Sequence, residues 1–350
     1  MTDNEIEAPG WHAIDRALAT LYPGQEPLHW GTVLSARLGG PDPLDGISAY
    51  RSESGAPHWH FVSYGMSELY GKEWNDPEYS GFGFEFTLRV ARQGDAPPMW
   101  ALNFLQNMAR YVVGSGNLFE PGHYMNLNGP IALEREDSLI RAVLIAADPL
   151  LPAIDTPNGK VQFLQFVGAT LDELNAARAW NTTGMLDVMR ESNPLFVTDI
   201  DRGSILMDVP TAQRIAQRTQ ADGSSTSALL CGSLKWQLPA PGALVITIGA
   251  NSVADFRSIL PGRLPLGRDF FLAAEGRAVT FKLADRVHWT ATSEAELTLS
   301  LPADVARALA AAVNPKRGDY VVTSAPDLTI RVVPSVIKDS SGNVVLVVGE

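Results

Sequence analysis

Residues 81–92 read GFGFEFTLRVAR, and the fold turns on how they are read. Phe82, Phe84, Phe86, Leu88 and Val90 alternate with Glu85, Thr87 and Arg89. Successive side chains of an extended chain point to opposite faces, so the pattern predicts a half-buried antiparallel strand, apolar inside and polar outside. Upstream, residues 9–23 (PGWHAIDRALATLYP) place Trp11, Ile14, Ala17, Leu18 and Leu21 on one stripe at helical spacing. Residues 46–54 and 58–64 read as further strands. Downstream, 97–116 predicts a helix begun at two prolines and stopped at Gly114 and Gly116.

Residues 139–149 and 160–169 read as two buried strands, followed by a helix over 170–192 with Thr170 as N-cap and Glu173 completing a capping box. Residues 194–199 and 204–209 suggest a hairpin around Asp201-Arg202-Gly203. The stretch 217–227 (QRTQADGSSTS) is polar and ends in Gly and Ser/Thr, which suits a flexible joint. Beyond it, strands and helices mix again, with an Ala-rich helix at 302–313 opened by Pro302. No steady strand–helix alternation appears. The expected class is α+β: two mixed α/β sandwich-like domains, 1–209 and 228–350, joined by a short hinge at 210–227.

Charge and cysteine usage limit the function. The protein has 350 residues and a net charge of −12. Residues 1–209 hold 27 acidic against 13 basic side chains, a balance of −14, whereas 210–350 hold 12 against 14. This argues against a nucleic-acid partner, which needs a basic face. Solubility alone accounts for an acidic surface; the sharper reading is that the first domain attracts a basic partner. No apolar run approaches bilayer length, so no membrane partner is expected. The first residues lack a basic segment and apolar core, and Cys231 is the single cysteine, so a cytoplasmic setting is expected.

His58 and His60, in HWHFVSYGMSELYG (58–71), are the candidate metal ligands. Residues two apart on a strand share a side, so both imidazoles could meet one ion. No third ligand stands in a recognisable motif: there is no His-Glu-x-x-His and no cysteine cluster. Satisfied imidazoles on a strand are the plainer reading, with Trp59 and Phe61 facing the core. A metal-dependent hydrolase built on His58 and His60 is the alternative function. Serine-elbow, phosphate-loop and dinucleotide fingerprints are absent, and no cofactor is expected.

Several segments, in order, carry a resemblance: 10–23 (GWHAIDRALATLYP), 58–71, 80–90 (SGFGFEFTLRV), 109–119 (ARYVVGSGNLF), 156–170 (TPNGKVQFLQFVGAT), 173–190 and 195–205. Together they resemble the N-terminal domain of the Suppressor of fused family. Residues 261–271, 276–283 and 328–337 resemble its C-terminal domain. The resemblance implies a non-enzymatic protein whose two domains close like a clamp on an extended segment of another protein, held by strand addition. It places Tyr111, Phe119, Gly122, His123, Ala147 and Asp148 at the partner-binding groove. At two positions where the family carries a groove acid, this sequence has His123 and Ala147, which removes negative charge from that place. Family members in bacteria imply an immunity protein of a polymorphic toxin system. The small share of lysine among the basic residues, six of 27, fits a bacterial protein. The implied partner is a protein or peptide segment, a basic one on the charge reading, such as a toxin domain or regulator.

Overall fold

The computed structural model describes residues 7–34, 39–240, 242–338 and 343–350. The protein divides into two compact units, 1–174 with 182–211, and 175–181 with 212–350.

Unit 1 is built on one eight-stranded sheet. Its strands are β1 (Leu28–Gly31), β2 (Gly46–Ser52), β3 (His58–Tyr64), β4 (Tyr79–Ala91), β5 (Tyr124–Asn126), β6 (Ile140–Ala147), β7 (Ile154–Thr156) and β8 (Gly159–Thr170). They lie in the order β1-β2-β3-β4-β8-β6-β5, with β7 also on β8. Among the described strands of this sheet, only the central pair β4–β8 is parallel. The stripe at 9–23 forms helix α1 (Pro9–Leu21), and α2 (Trp100–Ser115) ends at Gly116, whose φ of +72° supplies the left-handed cap.

These helices cover opposite faces of the sheet. Against α2 pack Trp59, Phe61, Phe84, Phe86, Leu88 and Phe166. Against α1, through Ile14 and Leu18, pack Tyr50, Val62, Tyr64 and Phe163. With both faces covered, β4 is not half-buried as its alternation suggests. Glu85, Thr87 and Arg89 are each 0% exposed, because the supposed outer face lies under α1 and the loops beside it.

Half of the predicted capping box forms: Glu173 Oε2 accepts the Thr170 N–H at 2.9 Å, while the Thr170 hydroxyl donates to Asp172. The expected helix is broken into α3 (Leu171–Ala179) and α4 (Thr182–Ser192). The hairpin expected at 194–209 does not form. Thr198 instead joins the end of β4, donating its N–H to Arg89 O at 2.8 Å and accepting from Ala91 N at 2.9 Å. Arg202 donates to Glu173 and to Gly168 O, which holds the turn by side chains rather than by a ladder.

The stretch 217–227 is not a loose joint. Helix α5 (Val209–Asp222) runs through its first half. Beyond it, buried Ser224 donates its hydroxyl to Arg178 O at 2.6 Å and its N–H to Gly262 O at 2.9 Å.

Unit 2 contains two main sheets. The first, β10-β11-β17-β16, comprises β10 (Leu234–Gln237), β11 (Leu244–Gly249), β16 (Gly318–Val322) and β17 (Ala325–Val333). The second, β14-β15-β13-β12-β9, comprises β9 (Ala228–Leu230), β12 (Phe270–Ala274), β13 (Arg277–Leu283), β14 (His288–Ala291) and β15 (Glu296–Leu301). A hairpin of β18 (Ser335–Lys338) and β19 (Val344–Val348) follows. Helices α6 (Val253–Arg263) and α7 (Ala303–Ala312) bury Phe256, Ile259 and Leu309 in a core shared with Phe270, Phe281 and Leu299. Cys231 is buried, and burial pushes its thiol pKa up, as expected for an inert residue. The mixed α/β class expected from the sequence is the one observed. No helix among the described residues is long and apolar enough to cross a membrane.

Candidate functional site

His58 and His60 do not form the start of a metal centre. His58 Nδ1 lies 2.7 Å from its own loop carbonyl, Ala56 O. His60 Nδ1 meets the Tyr22 hydroxyl at 2.9 Å, and its Nε2 lies 3.2 Å from Asp148 Oδ2, off the line of a good hydrogen bond. That same carboxylate holds Arg89, whose guanidinium would repel an incoming cation. Among the described residues no group of three or more His, Cys, Asp or Glu could hold a metal ion. Burial, followed by the nearby Arg89 charge, lowers the His60 pKa to about 4, so the ring is neutral at pH 7.

Around this imidazole the sheet carries a closed polar network. Arg89 donates to both oxygens of Asp148 and to Gln165 Oε1, and Thr87 Oγ1 donates to Asp148 at 2.8 Å. Asp148 also accepts the Leu150 and Leu151 N–H groups at 2.9 and 3.0 Å. Burial alone would raise its pKa, yet His60 and Arg89 hold the carboxyl well below the usual carboxylate range. Asp148 therefore has no lone pair turned toward a guest.

The other implied residues gather on the α2 side, at the β5 edge of the sheet. Tyr111, near the end of α2, is 38% exposed and its ring lies 5.7 Å from that of Phe119. Phe119 is 5% exposed and packs edge-on against Phe86 and Phe166 at 6.0 and 5.6 Å. It is a core residue that supports Tyr111. Gly122, with φ of +92°, donates its N–H to Ile145 O at 2.8 Å, and His123 O accepts the Ile145 N–H at 2.9 Å. Those bonds lead the backbone into β5. His123 is exposed, its Nδ1 accepting from Glu120 N at 3.2 Å. Ala147 is exposed at the end of β6 and has the same parity as Val143 and Ile145, which pack toward α2; Asp148 turns to the opposite face.

β5 ends the sheet. Its one strand partner among the described residues is β6, in the register Tyr124↔Leu144, Met125↔Val143 and Asn126↔Ala142. The inward bonds run through His123 O and Leu127 N, so alternation turns the backbone N–H and C=O of Asn126 away from β6.

A buried carboxylate that sequence reading placed on a wet face fixes the loop after β3. Glu85 accepts from Ser63 Oγ at 2.5 Å, Ser67 Oγ at 2.6 Å, and the N–H groups of Gly65, Met66 and Ser67 at 3.0, 3.3 and 2.9 Å. A charge placed in an otherwise apolar alternation was the available signal.

A two-unit mixed α/β protein with an open sheet edge at β5 defines the class. Residues 40–203 match the sequence profile of the family described as Suppressor of fused protein (SUFU), and on those residues the protein belongs to the Suppressor of fused family. The Suppressor of fused homologues of Homo sapiens and Mus musculus are each 37% identical over 240 residues, covering 63% of this sequence and 49% of the relative. The protein thus spans about half the length of the curated relatives it matches. The crystal structure of Drosophila Suppressor of Fused shares the fold at a TM-score of 0.76 and 23% identity, covering 93% of this protein and 97% of that one. A component of the Sufu-Fu complex crystal structure matches at TM-score 0.58 and 34% identity, covering 62% of this protein and 99% of that one.

Proposed function

We propose that this protein is a non-enzymatic binder of another polypeptide, which it holds as an added strand on the open edge of β5. The observation that carries the reading is that β5 ends the sheet beside the half-exposed Tyr111. Backbone hydrogen bonds on such an edge supply affinity, and neighbouring side chains supply selectivity. A relative that crystallises in a Sufu-Fu complex supports a protein-binding role. The −14 balance of residues 1–209 favours a basic partner, attracted by long-range steering. A bacterial immunity or regulatory protein that masks a basic toxin surface fits those terms.

The test is a co-purification in which the captured partner is identified, then titrated against wild type, Asn126→Pro and Tyr111→Ala. Proline at Asn126 removes an outward N–H while leaving the β5–β6 ladder intact. Both variants are expected to fold and to bind at least tenfold more weakly. Equal binding by Asn126→Pro sinks the edge-strand reading. Binding unaffected by salt sinks the basic partner.

A further inference from the structure

Next to β5, the segment that follows it forms a second feature with α2. Leu127 directly follows β5 and still donates its N–H to Arg141 O at 3.0 Å, so it is fixed by the sheet. Its side chain and that of Leu133 form one wall of a cavity of about 130 Å³. The floor comes from Trp100, Phe104 and Met108, each less than a tenth exposed and spaced four residues apart on one face of α2. The rim on the helix side is Asn103 and Asn107, both exposed. Asn107 accepts from Arg110 at 2.5 Å through Oδ1, so its amide N–H groups are not used in that bond.

The dimensions match one kind of occupant. Residues four apart on a helix repeat every ~6 Å along its axis. Side chains on one face of an extended polypeptide repeat every ~6.6 Å. Asn103, Asn107 and Tyr111 form such a row, so their polar tips keep step with the backbone of an extended polypeptide lying along α2. Carboxamides offer both a donor and an acceptor, which is the pairing that backbone C=O and N–H groups require. A folded surface or a small metabolite has no such repeat. The cavity beneath the row is lined mainly by apolar side chains, with Glu134 at one side, and is the size of one large aliphatic side chain.

We infer that the groove between α2 and residues 127–134 is a side-chain subsite for the strand bound at β5, taking one Leu, Ile or Met of the guest while Asn103 and Asn107 bond to its backbone. The inference rests on the edge-strand reading above and adds to it a sequence preference. An apolar pocket discriminates one such side chain from a shorter one by ~10- to 200-fold.

The experiment selects a displayed library of random heptapeptides on wild type, Leu133→Asp, Asn103→Ala/Asn107→Ala and Asn126→Pro. Leu133 is 72% exposed and both asparagines are exposed, so thermal melts of these variants are expected to match wild type. Wild type is expected to enrich peptides with a large aliphatic residue at one fixed position. Leu133→Asp should erase that preference, and the double alanine variant should lower affinity about tenfold for every enriched peptide. Asn126→Pro should abolish enrichment altogether. Enrichment that is lost in Asn126→Pro but keeps the same aliphatic preference in Leu133→Asp overturns the subsite and leaves the edge intact. Enrichment unaffected by Asn126→Pro, or none on wild type, overturns both.

Discussion

Arg89 and Asp148, 59 residues apart in the sequence, meet as a fully buried bidentate pair, Nη1 2.7 Å from Oδ2 and Nη2 2.9 Å from Oδ1. Two ions withdrawn from water contribute little net stability, but removing one strands the other. Breaking such a pair costs about 3–5 kcal/mol, whereas replacing both by apolar groups of similar volume is often neutral. Asp148→Asn is expected to lower unfolding free energy by about that amount, and adding Arg89→Met to recover part of it, because the new carboxamide oxygen still accepts from Thr87, Leu150 and Leu151 while no unpaired charge remains. Urea titration of the three proteins measures both effects; a single variant as stable as wild type rejects the network's role.

The neutral His60 predicts acid sensitivity. Its pKa is lowered on folding, from 6.5 to about 4, so the unfolded state binds a proton first as pH falls. The stabilisation is therefore complete above about pH 6.5 and is lost between there and pH 4, by up to about 3 kcal/mol. Asp148, lowered on folding, loses its own contribution below the normal carboxylate range, in the same direction. Glu85 is raised on folding and opposes both, its cost growing as pH rises through that range. Melting temperature followed from pH 8 to pH 4 should fall for wild type, and the fall between 6.5 and 4 should be shallower for His60→Gln.

Glu85 should behave as the anchor of residues 63–67. Glu85→Ala leaves five donors without their acceptor, and each unsatisfied buried donor costs about 1–3 kcal/mol. The variant is expected to be destabilised by at least about 3 kcal/mol, with amide exchange at Gly65 and Ser67 accelerated first. Protection at those two amides equal to wild type tells against the anchor.

Tyr111 and Phe119 should separate binding from stability. Truncating a buried Phe costs about 3–5 kcal/mol, so Phe119→Ala should show a large loss in denaturant midpoint. Tyr111→Ala, at a 38% exposed site, should lose about 1 kcal/mol or less yet impair partner binding. Calorimetric melts alongside titration with the identified partner separate the two; a Tyr111→Ala protein as unstable as Phe119→Ala contradicts the assignment.

Much of unit 1 is legible where structure is local. The α1 stripe, the Thr170–Glu173 hydrogen bond and the Gly116 cap are set by neighbours within four residues. The alternation in β4 tells which side chains share a face, but not what covers that face. Arg89, Thr87 and Glu85 look like a wet surface because their partners stand 18 to 76 residues away. Residues 194–209 carry β-branched and apolar residues typical of strands, yet Gln165 donates to the Leu195 and Phe196 carbonyls and takes the place of a ladder. For the residues implied at the groove, residue identity could not show that Phe119 is buried or that Asp148 turns to the face opposite Ala147.

The parallel β4–β8 pair at the centre of the sheet sets an order of events during synthesis. Arg89 emerges from the ribosome 59 residues before Asp148 and 76 before Gln165. At about 5–20 residues per second, several seconds pass in which its guanidinium lacks the counter-ion it will have in the folded protein. Throughout that interval the guanidinium stays hydrated, and its counter-ion arrives only with Asp148, just past the end of β6.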